Sequence, residues 1–225
     1  MKKILLISGL FTSLVINAQT SSKGTLEVAP VTGVAFSNYV SDYGYSSNDP
    51  IVSSTVGVDL DVYFSKNWSL RSGLHYQIMG TEYYTSPGWT TERLDYLTLP
   101  VHANIHFGRK KNWNAHFGPS FSFLLNAESE SNSYVNQNIE NSVNNFQLGF
   151  GFGIGHKIQL NDFMALGLQY NHLIGLTRAN RYSDYNYYNN YYYDYYYHDN
   201  DDIRNNFGSF AVSLIFRLGQ KQNKE

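Results

Sequence analysis

Cysteine is absent from this 225-residue chain. That removes disulfides as a source of stability and thiolates as nucleophiles or metal ligands. Charge is scarce: Asp, Glu, Lys and Arg make up 15% of residues, with a formal net charge of −2. No basic concentration of the kind that grips a phosphate backbone is present, so nucleic acid is excluded as a partner. Beyond the opening residues no apolar run reaches the roughly 20 residues a membrane-spanning helix needs. Catalytic signatures are missing too. Neither G-x-S-x-G nor H-E-x-x-H occurs, and Glu82, Glu92 and Asp95 have no histidine or serine partner at readable spacing. The chain reads as a non-enzyme that takes no cofactor.

What is present is aromatic: 20 Tyr and 14 Phe. At the N-terminus, Lys2 and Lys3 precede an apolar run ending at Ile16, then Ala18. This is the layout of a secretory signal peptide, which assigns residues 1–18 to export and residues 19–225 to one mature domain. Removing Lys2 and Lys3 from 16 basic residues leaves 14 against 18 acids, a formal charge of −4.

The stretch QLGFGFGIG, residues 147–155, places glycine at every second position. A dinucleotide-binding loop needs glycines at i, i+2 and i+5, and the residues at i+5 from Gly149 and Gly151 are Ile154 and His156. Period two points instead to a strand with one bare face. The same alternation recurs in eight segments. Val56, Val58, Leu60 and Val62 oppose Gly57, Asp59 and Asp61. Leu70, Leu74 and Tyr76 oppose Arg71, His75 and Gln77, and Leu97, Leu99 and Val101 oppose Thr98 and His102. Short turns at residues 65–67, 108–112 and 159–162 alternate with long polar stretches at 37–54, 80–95, 127–145 and 177–206. The expectation is an all-β, eight-stranded antiparallel up-and-down transmembrane barrel. Short turns face the periplasm, together with both termini and a tail at 219–225, and long loops face outward.

A soluble lipocalin-like barrel, apolar inside, is the alternative. Charge placement argues against it, because the non-apolar parity is mostly Gly, Ala, Ser, Asn, Gln and His, whereas a soluble surface is about 25–35% charged. Small hydrogen-bonding residues suit the crowded lumen of an eight-stranded barrel. The strand charges Glu27, Asp59, Asp61, Arg71, Lys157 and Arg217 share that inward parity. Glu27 should meet Arg217 where the barrel closes, and a tight turn sets Asp61 opposite Arg71. These form a polar plug in the periplasmic half of the lumen. Phe64, Trp68, Phe107, Trp113 and Phe163 flank the short turns as an interfacial girdle. Pro30, Pro100 and Pro119 fall inside strands, where bulges are the expected repair.

His75, His102, His106 and His116 also point to the lumen. His102 and His106 lie about 13 Å apart at ~3.3 Å per residue, too far to share an ion. The turn around Lys111 sets His106 opposite His116, but two ligands fall short of the four usual for zinc. Lumen hydrogen bonding is the expectation, with no metal site. The last long loop, RYSDYNYYNNYYYDYYYHDNDD at residues 181–202, is low-complexity. Tyr187, Tyr188, Tyr191, Tyr192 and Tyr193 surround its tip at Asn189 and Asn190. Tyrosine-rich surfaces bind proteins and glycans well, and a solvated loop without a partner is the plainer reading of such composition.

YLTLPVHANIHF at residues 96–107, followed by HFGPSFSFLLNA at 116–127, resembles the PorT-like family of small outer-membrane β-barrel proteins of Bacteroidota. The Tyr-Leu-x-x-Pro strand and the Gly-Pro of the next one carry the likeness. It implies an integral outer-membrane barrel at home in lipid, and it makes Pro100 and Pro119 tolerated features. The family's namesake is linked to type IX secretion. Two functions follow as expectations: a surface protein whose Tyr-rich loop meets an extracellular protein or glycan, or an accessory of secretion or envelope assembly that meets periplasmic partners.

Overall fold

The computed structural model describes residues 24–41, 49–85, 88–131, 134–181 and 202–218. The expected signal peptide, the tyrosines at 187, 188 and 191–193 and the tail at 219–225 lie outside the described residues. The strands are β1 (Leu26–Ser41), β2 (Ile51–Tyr63), β3 (Trp68–Thr85), β4 (Gly88–Phe107), β5 (Trp113–Ser131), β6 (Tyr134–Asn138), β7 (Phe146–Gln159), β8 (Met164–Gly175) and β9 (Ile203–Leu218). Eight of them close a ring in the order β1-β2-β3-β4-β5-β7-β8-β9, every neighbour antiparallel, with β9 returning to β1. The short β6 pairs only with the distal end of β5. Every long strand therefore has two partners, which removes the free edge that makes open sheets adhesive.

Alternation in the sequence becomes inside and outside. On β9, Phe210 is 63% exposed while its neighbours Ser209 and Ala211 are buried. Outward residues form a continuous apolar band that includes Val56, Leu74, Phe117, Phe150, Phe152 and Val212. Such a surface is untenable in water and suits acyl chains. This overturns the lipocalin-like alternative, whose apolar residues would line the interior. No described helix is long and apolar enough to cross a membrane, so any crossing is made by strands.

Two expectations are corrected. Residues 80–95 are not a loop: β3 and β4 stay paired from Trp68↔Ile105 to Thr85↔Gly88. Apolar alternation fades there because the outward face takes Glu82, Thr91, Arg93 and Asp95, yet Tyr83, Tyr84, Trp89, Thr90 and Thr91 still favour a pleated backbone. The prolines also carry no bulge. The register is the same on either side of Pro30, Pro100 and Pro119. Each proline borders a gap in one ladder, opposite β9 for Pro30, β3 for Pro100 and β4 for Pro119, so missing pairs rather than an extra residue absorb the lost N–H. The register shift within the ring falls between Asp95 and Tyr96, against β5.

Candidate functional site in the lumen

The base of the lumen is ionic. Glu27, Asp59 and Asp61 enter from β1 and β2, each 5% exposed or less. Carboxylates so far from water require matched partners. The pairing Asp61↔Arg71 brings the guanidinium across the tight turn, where Arg71 Nε and Nη2 donate to Asp61 Oδ2 at 3.1 and 2.8 Å. Asp61 Oδ1 accepts from Ser69 Oγ and Asn104 Nδ2, both at 2.8 Å. Glu27 Oε1 accepts from Arg217 Nε at 3.2 Å, and Glu27 Oε2 accepts from Lys157 Nζ and, at 3.0 Å, from Tyr63 Oη. Asp59 Oδ1 accepts from His75 Nε2 at 2.8 Å. Gln169 joins the groups, donating to Asp59 Oδ2 and accepting from Arg71 Nη1, each at 3.2 Å. Asp61 pairs with Arg71 and Glu27 with Lys157 and Arg217, while Asp59 is held by His75 and Gln169.

Above the base lies a cavity of about 50 Å³ whose lining includes Asp59, Arg71, His75, Gln77, His102, His116 and Gly151. The rings of His102 and His116 stack at 5.3 Å between centroids and 11° between planes. His102 Nε2 pairs with Ser120 Oγ at 3.0 Å, whereas His102 Nδ1 and Gln77 Oε1 are buried without a protein partner. The bare face of β7 is what admits these rings. A Cβ on Gly153 would sit 2.6 Å from the His116 ring, and one on Gly155 2.7 Å from Asn114 Oδ1.

The distal half of the lumen holds an apolar cluster among a few buried polar groups, which the sequence did not point to. Tyr39, Met79, Leu94, Tyr96, Ala127, Leu173 and Phe207 pack there with Val143 from the segment after β6. Tyr96 keeps its hydroxyl satisfied by Gln147 Nε2 at 2.6 Å, and Gln147 Oε1 accepts from Asn205 at 2.9 Å. Over this roof, Asn144 N donates to Ala179 O and Ala179 N to Ile203 O, both at 2.7 Å. Arg178 pairs with Asp202. Residues 178, 179, 202 and 203 are therefore tied together at the distal rim.

The expected lumen residues are all inside the barrel, but their partners differ in part. The register gives Glu27↔Arg217 and Asp61↔Arg71. Lys157 joins Arg217 on Glu27, and Asp59 bonds His75. His106 is not opposite His116: the turn closes at Phe107↔Trp113, so His106 pairs with Asn114 and His116 with Asn104. His106 Nε2 then meets Ser69 Oγ at 2.9 Å. Among the described residues no group of three His, Asp or Glu is arranged to hold a metal. Tyr63, Ser69, Asn104 and Gln169 complete the network without having been singled out, although inward parity was the signal that marked them.

A closed, outwardly apolar ring of eight strands with its ionisable groups sealed inside is an integral membrane β-barrel. Residues 17–181 match the model of the family described as outer membrane protein beta-barrel domain. The chain belongs to that family, and its barrel is embedded in outer-membrane lipid. No curated protein matches it in sequence. Among solved structures it is similar to Neisserial surface protein A, at 12% identity and TM-score 0.45, covering 85% of this chain and 99% of that one. It is likewise similar to Ail, the attachment invasion locus protein of Yersinia pestis, at 10% identity and TM-score 0.42, covering 86% and 99%. OprG from Pseudomonas aeruginosa matches at 8% identity and TM-score 0.47, covering 88% and 97%.

Proposed function

We propose that this protein is a non-enzymatic barrel, exported by its N-terminal signal peptide, that acts at the cell surface by presenting residues 181–202 to an extracellular protein or glycan. The observation that carries this reading is the doubly filled lumen. An ionic base and an apolar roof lie in series across the only axial route, so transport is not its work, and action moves to the rims. The Arg178–Asp202 pair lies at the distal rim, next in sequence to the Tyr/Asn/Asp-rich segment. Tyrosine-rich surfaces offer large contact area at small entropic cost. The PorT-like resemblance supports a Bacteroidota envelope as the setting.

The second reading, an accessory of secretion or envelope assembly, draws on the exposed turns at the opposite rim and the tail at 219–225. Deleting residues 182–197 separates the two. Loss of surface adhesion with secretion intact supports display, and loss of secretion of other proteins with adhesion intact supports the accessory role. A barrel that stays folded while neither property changes sinks the display reading.

A further inference from the structure

The turn between β2 and β3 carries Lys66, and the turn between β4 and β5 carries Arg109, Lys110 and Lys111, all four exposed. The turns are adjacent in the ring and physically joined. Lys111, at φ 53°, donates from Nζ to Lys66 O at 2.9 Å, and His106 N donates to Asn67 O at 2.7 Å. Neither turn contains an acidic residue, and among the described residues no carboxylate lies within ion-pair distance of any of the four cations. The next turn around, residues 160–163, has Asp162 and no cation. The other end of the barrel is biased the opposite way, with Glu82, Glu92, Asp95, Glu128 and Glu130 on β3, β4 and β5. Among the described turns, the exposed cations thus occupy one arc of one rim.

We infer that this arc binds the anionic headgroups of phospholipids in the periplasmic leaflet. The arc is flanked by aromatics that stand in the membrane interface: Phe64 and Trp68 on either side of Lys66, and Phe107 and Trp113 on either side of the β4–β5 turn, with Phe64, Phe107 and Trp113 all exposed. A long cationic side chain beside an interfacial ring lays its stem on apolar surface and lifts its charge to the headgroup layer. Basic residues near an anionic lipid surface each contribute to attraction that salt screens within about a Debye length. Among the described turns the exposed cations lie on the β2–β5 side, so these turns recruit acidic lipid along β2 to β5 rather than beside the β7–β8 turn.

The test uses the full-length barrel in phosphatidylcholine vesicles doped with brominated phosphatidylglycerol or brominated phosphatidylcholine. The Trp89→Phe background leaves Trp68 and Trp113, beside the arc, as the reporters. The expected result is a preference of about fivefold or more for the brominated anionic lipid at low salt, the factor for one engaged cation. It should fall toward unity at ~1 M salt, where the Debye length is about 3 Å. Lys66→Gln/Arg109→Gln/Lys110→Gln should abolish the preference while retaining the heat-modifiable folded band. Equal quenching by the two lipids in the parent overturns the inference. So does a preference that persists in the triple variant. Salt-sensitive binding of poly-glutamate to the arc without lipid preference also overturns it, and assigns the arc to an acidic periplasmic protein.

Discussion

A Cβ built on Gly151 would lie 2.7 Å from Nε2 of His102 on the facing wall. Real Cβ atoms do not come so close to a ring, and Ser120 Oγ at 2.9 Å blocks the other side. The glycine is therefore a cast of the histidine. Gly151→Leu should overfill the waist, costing about 1–3 kcal/mol or more, read as reduced folded yield and an earlier urea midpoint in bilayers. Gly151→Ala should be milder. Combining it with His102→Ala should recover part of the loss, because the clash needs both partners.

In the lumen base, Glu27 is the carboxylate that meets two strong cations, Lys157 and Arg217. Lys157 is buried, so Glu27→Ala strands an ammonium group away from water, at about 3–5 kcal/mol. Arg217 is less buried, with 23% of its side chain exposed, and Arg217→Ala should cost much less because Lys157 and Tyr63 still satisfy the carboxylate. The apolar double variant Glu27→Leu/Lys157→Met should be more stable than Glu27→Ala alone. Equilibrium unfolding of the four proteins checks the order. Equal costs for Glu27→Ala and Arg217→Ala would show that Lys157 is not held through Glu27.

Two fillings in series imply a non-additive effect on permeability. Truncating the roof with Leu94→Ala/Phe207→Ala removes large side chains that are 1% exposed or less, with about 2–5 kcal/mol lost per site. Planar-bilayer conductance should nonetheless stay near the parent's, since the ionic base still fills the lumen. Adding Arg71→Ala should raise it well beyond either change alone. Steady ion conductance in the parent barrel would show that the lumen is not closed.

The ring of strands was legible because two-residue alternation is forced on any strand with lipid on one side and a packed lumen on the other. Glu27 opposite Arg217 followed from closure of the first strand on the last, and Asp61 opposite Arg71 from a short turn, which fixes register within a residue or two. His106 went astray by two residues because the register was centred on Lys111, whereas the turn at residues 108–112 is centred on Lys110 and closes at Phe107↔Trp113. The apolar roof was not legible. Met79, Leu94 and Phe207 share the inward parity, but nothing in a single strand tells which depth of the lumen excludes water. That depends on how several strands align, and on Val143 arriving from a loop. The extension of β3 and β4 past the apolar band was hidden because its outward face carries Glu82, Thr91, Arg93 and Asp95, which ends the apolar alternation although Thr81 and Leu94 stay buried inside.

Phe152 follows Gly151 on β7 and faces the other way, 39% exposed among lipid-side neighbours, its ring 5.1 Å from that of His172. If its environment is acyl chain, an arginine there must either be desolvated or pull headgroups and water inward, at roughly 2–4 kcal/mol near mid-depth. Phe152→Arg should therefore lower the heat-modifiable fraction and the urea midpoint sharply, while Phe152→Tyr, which keeps the ring and adds one hydroxyl, should change both little. In a soluble barrel the ranking would reverse: an outward arginine would be harmless and would raise solubility. Measuring the pair in the same lipid thus reads the facing of β7 directly, and with it the assignment of every residue on the strand, because a one-residue change in parity exchanges all of them.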